Sequence, residues 1–127
     1  MQRVLRVLIL ASFTLGLVAC ATPVATSGGS AADRLSAAAK EIDRAIEAIQ
    51  GADIEKAKKE FKEFEGDWDK FEDLVKARSA DSYKKIEDAM NDVEAVLTKA
   101  TTVDKDKALA ALRKLRQVID AELSKLK

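Results

Sequence analysis

From Leu35 onward the larger apolar residues recur at alternating steps of three and four, and the spacing persists through four successive segments. That period matches the helical repeat, so each segment carries one apolar stripe along one helix face. The first stripe is Leu35, Ala39, Ile42, Ile46 and Ile49, and it stops before Gly51, a residue type that favours helix ends. The second follows Asp53, whose carboxylate suits an N-cap, and runs Ile54, Ala57, Phe61, Phe64, Trp68, Phe71 and Val75. The third starts near Ser79 and runs Tyr83, Ile86, Met90, Val93, Leu97 and Ala100. The fourth, with Thr101 or Thr102 as its expected cap, carries Ala108, Leu112, Leu115, Ile119, Leu123 and Leu126. No useful length alternates with period two, so strands are not expected. Amphipathic helices of about 18–25 residues with short connections predict an all-α fold, an up-down-up-down antiparallel four-helix bundle over residues 34–127.

Composition agrees with long amphipathic helices, since 35% of the 127 residues are charged and 47% hydrophobic. The 22 basic residues balance the 22 acidic ones, and nothing basic enough for nucleic acid remains. Three phenylalanines and the only tryptophan fall on the second segment, at a spacing that reads as core. Gly66 interrupts the same segment and leaves room for a close neighbour or a slight bend. Nine acids and six bases lie between Asp53 and Ala77, against four acids and seven bases between Val103 and Lys127. The asymmetry suggests an acidic and a basic side, of use in steering a partner, with an ordinary solvated face as the alternative.

The first residues form a separate unit. Arg3 and Arg6 precede the apolar run Val7–Val18, which is shorter than the roughly 20 residues of a membrane span and suits a secretory signal. It ends in Leu17-Val18-Ala19-Cys20, which resembles the lipobox of bacterial lipoproteins. The resemblance implies a signal peptide over 1–19, cleavage before Cys20, and acylation of that residue. Cys20 is the only cysteine, so no intramolecular disulfide is possible. The implied location is the bacterial cell envelope, anchored in the membrane by lipid. Ala21 after the cysteine implies the outer membrane, facing the periplasm, in a Gram-negative cell. Residues 20–33, small, polar and interrupted by proline and glycine, read as a flexible tether.

Folding the second and third stripes against each other pairs Trp68 with Met90 and Val75 with Tyr83. The same register sets Glu72 level with Glu87 and Glu65 level with Glu94, on the flank of the seam. Mirrored carboxylates raise one another's pKa or attract a cation, and hard cations such as iron or another divalent ion accept oxygen ligands of this kind. Lys62, Lys76, Lys84 and Lys85 are near enough to neutralise the same acids, so a solvated bundle edge stays open as the alternative.

Trp68, Glu72, Val75, Ser79, Tyr83, Ile86-Glu87 and Met90 together resemble a helical region of bacterial iron-transport proteins. The pattern is similar to the extracytoplasmic helices attached to Ftr-type high-affinity iron permeases, where a Trp–Glu–turn–Tyr–Ile–Glu order recurs. It covers roughly residues 58–90. The resemblance marks Trp68, Glu72, Tyr83 and Glu87, and implies an accessory in iron handling or uptake with an iron permease as partner. The chain lacks the Arg-Glu-x-x-Glu motifs of the permease itself. It also has no histidine, so the His-x-x-Glu signature of imelysin-like helical proteins is absent. Without histidine, a reactive cysteine, a phosphate loop or an oxyanion signature, no enzyme is expected. The alternative function is a non-enzymatic scaffold lipoprotein that binds an envelope protein complex.

The lipobox reading makes a direct prediction. Expressed in a bacterial host, the protein labels with palmitate and fractionates with membranes, and Cys20→Ser abolishes both. Unlabelled wild-type protein in the soluble fraction contradicts it.

Overall fold

The computed structural model describes residues 29–127, and every regular element among them is helical. The signal peptide expected over 1–19, Cys20 and the expected tether up to residue 28 lie outside the described residues. The elements are α1 (Ala31–Gln50), α2 (Ile54–Trp68), α3 (Glu72–Arg78), α4 (Ala80–Val93) and α5 (Lys105–Leu123), with a π-helical turn, Glu94–Thr98, extending α4.

Helix α1 starts earlier than the spacing of apolar residues predicts. The Ser30 hydroxyl accepts from the Asp33 backbone N–H, and the Asp33 carboxylate accepts from the Ser30 backbone N–H. This reciprocal box satisfies two otherwise orphaned donors and draws Ala31, Ala32 and Asp33, assigned above to the tether, into the helix. At the other end Gly51 is the C-cap but keeps an ordinary φ of −76°. The left-handed residue is Ala52, at φ 61°. The Asp53 N–H reaches the Ala48 carbonyl at 2.9 Å and the Ala52 N–H reaches Ile49 at 3.0 Å. This is a Schellman closure, shifted by one residue from the glycine. Asp53 then caps α2 through the Lys56 N–H, as its position predicts.

The second stripe is not one helix. After Trp68 the chain tightens into turns, with the Phe71 N–H bonded to the Trp68 carbonyl at 2.9 Å, and restarts as α3. Both Trp68 and Phe71 remain buried and meet edge to face, ring centroids 5.5 Å apart. Charge agrees with the break. Asp67 and Asp69 close α2, where the helix dipole disfavours acids, whereas Glu72 and Asp73 open α3 and Lys76 and Arg78 end it. The expected caps Thr101 and Thr102 are also replaced. Asp104 caps α5, accepting from the backbone N–H groups of Asp106 and Lys107, because a carboxylate there serves two donors at once.

Helix α1 packs along α2 and α5, α5 along α4, and α4 against α3. Arg116 of α5 reaches Asp43 of α1 at 2.8 Å, and Lys114 of α5 reaches Asp92 of α4 at 2.7 Å. These exposed pairs set register more than they stabilise. The core runs unbroken through all five helices, with Leu35, Ile42, Phe61, Phe64, Trp68, Ile86, Leu112, Leu115 and Ile119 fully enclosed. Nothing lies within 4 Å of a Cβ built on Gly66, so no neighbouring helix requires that glycine. No described helix is long and apolar enough to cross a membrane.

Trp68 is 1% exposed. Trp68→Ala is therefore expected to lower stability by about 3–5 kcal/mol, measured by urea unfolding followed by circular dichroism. A loss below about 1 kcal/mol is incompatible with a ring packed in this way.

Candidate functional site

Between α2–α3 on one side and α4 with its π-helical turn on the other runs an open groove of about 430 Å³. Glu65, Glu72, Glu87 and Glu94 line it, with Trp68 as part of its floor and Lys62 on its rim. The mirrored acids foreseen from the hairpin register therefore do share one groove. Gly66 also borders it, and the missing side chain leaves the opening unobstructed.

Trp68 and Tyr83 stack, centroids 6.0 Å apart and planes 17° from parallel. The buried indole N–H donates to Glu87 Oε1 at 2.5 Å. Tyr83 is half-buried, with Lys76 Nζ 5.1 Å from the ring centroid in cation–π geometry. Burial, then the charges of Glu87 and Glu72, raise the Tyr83 hydroxyl above its ordinary pKa. Trp68, Glu72, Tyr83 and Glu87 thus stand in one neighbourhood.

Glu65 and Glu94 meet at the other end of the groove. Burial, and next a hydrogen bond with Glu94, push Glu65 up to about 7. Glu94 goes the other way: its ion pair with Lys99 holds it below the usual carboxylate range. The pair therefore shares one proton near neutrality, with the negative charge on Glu94 facing Lys99. The π-helical turn makes this possible. Its wider bond, from the Lys99 N–H to the Glu94 carbonyl at 2.8 Å, brings the lysine over the glutamate. Neither the turn nor Lys99 was visible in the stripe pattern, which runs through Val93 and Leu97 without interruption.

A second set of acids was missed. Glu41 of α1 and Glu60 and Glu63 of α2 each offer a carboxylate oxygen within 4.8 Å of the others. Burial, and then Glu60, raise the Glu41 pKa, against the opposing effect of Arg44. The mirror relation about the Gly51–Ala52 turn was available as a signal.

A third acid, Glu122, is 3% exposed on α5 but fully provided for. It accepts from the Ser82 hydroxyl at 2.7 Å and pairs with Lys125 at 2.8 Å. Burial would raise its pKa, and these partners outweigh that and lower it.

No family model, curated protein or solved structure matches this chain.

The Glu65–Glu94 pair has a pH signature. A free glutamate titrates near about 4.3, and Glu65 is held at about 7 in the folded protein. The fold thus favours its neutral form, and the stability this group contributes is complete below about pH 4 and lost as pH rises toward 7. Glu65→Gln fixes the neutral form. Its melting temperature relative to wild type is expected to climb between about pH 4.5 and 7.5. A difference that does not change with pH in this window excludes the shared proton.

Proposed function

We propose that this is a non-enzymatic, lipid-anchored protein of the bacterial cell envelope whose acidic groove receives a hard cation, in the first place iron, as an accessory to an iron permease. On this reading the helices form an antiparallel up-down-up-down four-helix bundle whose second member is the broken pair α2–α3. The packing order from α1 to α2–α3, α4, α5 and back to α1 supports it.

The observation that carries the functional reading is the convergence of Glu65, Glu72, Glu87 and Glu94 on one solvent-open groove beside the Trp68–Tyr83 stack. With Glu65 protonated, Asp69, Glu72, Glu87 and Glu94 still outnumber Lys62, Lys76 and Lys99 by one charge. The donor set is all oxygen, which suits a hard ion. Glu87 is held by a neutral donor, the Trp68 indole, so an incoming cation does not displace another positive charge there. The open shape and the proton on Glu65 fit a site that takes up and releases its cargo. Iron enters here as cargo, and the link to a permease rests on the Trp68–Met90 resemblance. One feature favours the scaffold instead: Leu74 on α3 is 47% exposed, an apolar point for a partner to cover.

Trp68 is the only tryptophan and donates to one of the ligands, so its fluorescence reports on this groove. Titration with Fe²⁺ under anaerobic conditions, then with Ca²⁺ and Mg²⁺, is expected to give a saturable emission change for the preferred ion. Glu72→Gln combined with Glu87→Gln is expected to remove it while preserving an acceptor for the indole N–H. If no ion changes the wild-type emission saturably, the cation reading fails and the partner-binding scaffold takes its place.

A further inference from the structure

The buried carboxylate of Glu60 lies on the α1-facing flank of α2, away from the groove. Its side chain is 9% exposed, and its Oε2 has no hydrogen-bond partner. An oxygen of this kind is expensive to enclose unless something compensates it. The nearest positive group does not. Arg44 Nη1 stands 3.7 Å from Glu60 Oε2, beyond hydrogen-bond range, because the guanidinium is drawn to Glu41 Oε2 at 2.5 Å. Lys59 is occupied on the outer side by Glu63, at 3.5 Å.

We propose that Glu41, Glu60 and Glu63 form a second cation site, independent of the groove, for a hard divalent ion of the size of Ca²⁺. Glu60 and Glu63 are one turn apart and share a face of α2. Glu41 approaches from α1, so one carboxylate oxygen from each residue lies within 4.8 Å of the others. The flexible shell of Ca²⁺ accepts side chains from two helices more readily than the strictly octahedral, reluctantly dehydrated Mg²⁺. A single ion among them ligates the unpartnered Glu60 oxygen and both neighbours, which Arg44 cannot do from one side. Bidentate binding by the exposed Glu63 and by water completes the six to eight oxygens that Ca²⁺ takes. Three carboxylates with an open outer side make a weak site, with Kd on the order of 10⁻⁴–10⁻³ M.

Titration of the full chain in detergent with Ca²⁺, followed by amide chemical shifts in two-dimensional NMR, tests the site. The background carries Glu72→Gln and Glu87→Gln, so that groove binding and binding at this site are read apart. Saturable shifts are expected at Glu41, Glu60, Glu63 and their neighbours, and weaker ones with Mg²⁺. Glu60→Gln is expected to weaken binding about tenfold or more, and Glu63→Gln, at a half-exposed position, provides the same test if Glu60→Gln disturbs the fold. Arg44→Gln removes the competing cation and tightens binding, a gain that a purely structural cluster does not give. No saturable shift by about 10 mM Ca²⁺, or an unchanged Kd in both glutamine variants, overturns the proposal.

Discussion

A tryptophan enclosed in a helical core must hide a large ring and still supply an acceptor for its N–H. Trp68 meets both demands across the seam between α2 and α4: it stacks on Tyr83 and donates to Glu87. Much of the surrounding structure follows from this arrangement. Phe61 and Phe64 are also buried on α2, and α2 and α4 make little close backbone contact. A seam held apart in this way is also a seam that opens at its flank. The groove lies there, and the acids beside the stripe positions line it.

The same ring accounts for the interruption of the second helix. Phe71 must follow Trp68 into the core and meet it edge to face. A tightened turn at Asp69–Phe71 brings it there, after which α3 restarts with acids at its beginning and bases at its end. Because α3 begins at Glu72, that residue points along the groove in the company of Tyr83 and not merely along a continuous stripe. The break is a small departure from regular geometry with a direct effect on where the carboxylates stand.

Apolar spacing made the helical class, the stripes and the Asp53 cap legible, because burial selects side chains at the helical period and leaves that period in the sequence. The register of Glu65 with Glu94 was legible for the same reason. What escaped were features decided by polar atoms. Ser30 and Asp33 start α1 through a hydrogen-bond box that has no apolar signature. Asp104, not a threonine, caps α5. The π-helical turn adds one residue to a loop of backbone without disturbing Val93 or Leu97, both fully buried, so hydrophobic periodicity is blind to it. The break after Trp68 did leave a trace, in the order of acids and bases from Asp67 to Arg78, which an apolar stripe conceals. Ala52 in the left-handed region left none, since the adjacent glycine is the natural candidate.

Three enclosed or half-enclosed acids show how differently the same fold can treat a carboxylate. Glu122 is given a hydroxyl and two lysines, and its charge is secured. Glu65 gives up its charge near neutrality by sharing a proton with Glu94. At Glu60 the nearest cation, Arg44, is engaged by Glu41, and Oε2 has no hydrogen-bond donor. In a protein that only needed to fold, the arrangement around Glu122 is the economical one, and an apolar residue at position 60 would be better still. That unpartnered oxygen, beside the carboxylates of Glu41 and Glu63, is what the proposed second cation site rests on. The groove follows related logic at lower burial, with its acids held by an indole, by a shared proton and by a single lysine. Both clusters draw on α2: Glu65 joins Glu72 of α3, Glu87 of α4 and Glu94 of the π-helical turn, while Glu60 and Glu63 join Glu41 of α1. The acids of α2 thus meet those of its neighbours on two flanks, an arrangement that the apolar stripe by itself does not reveal.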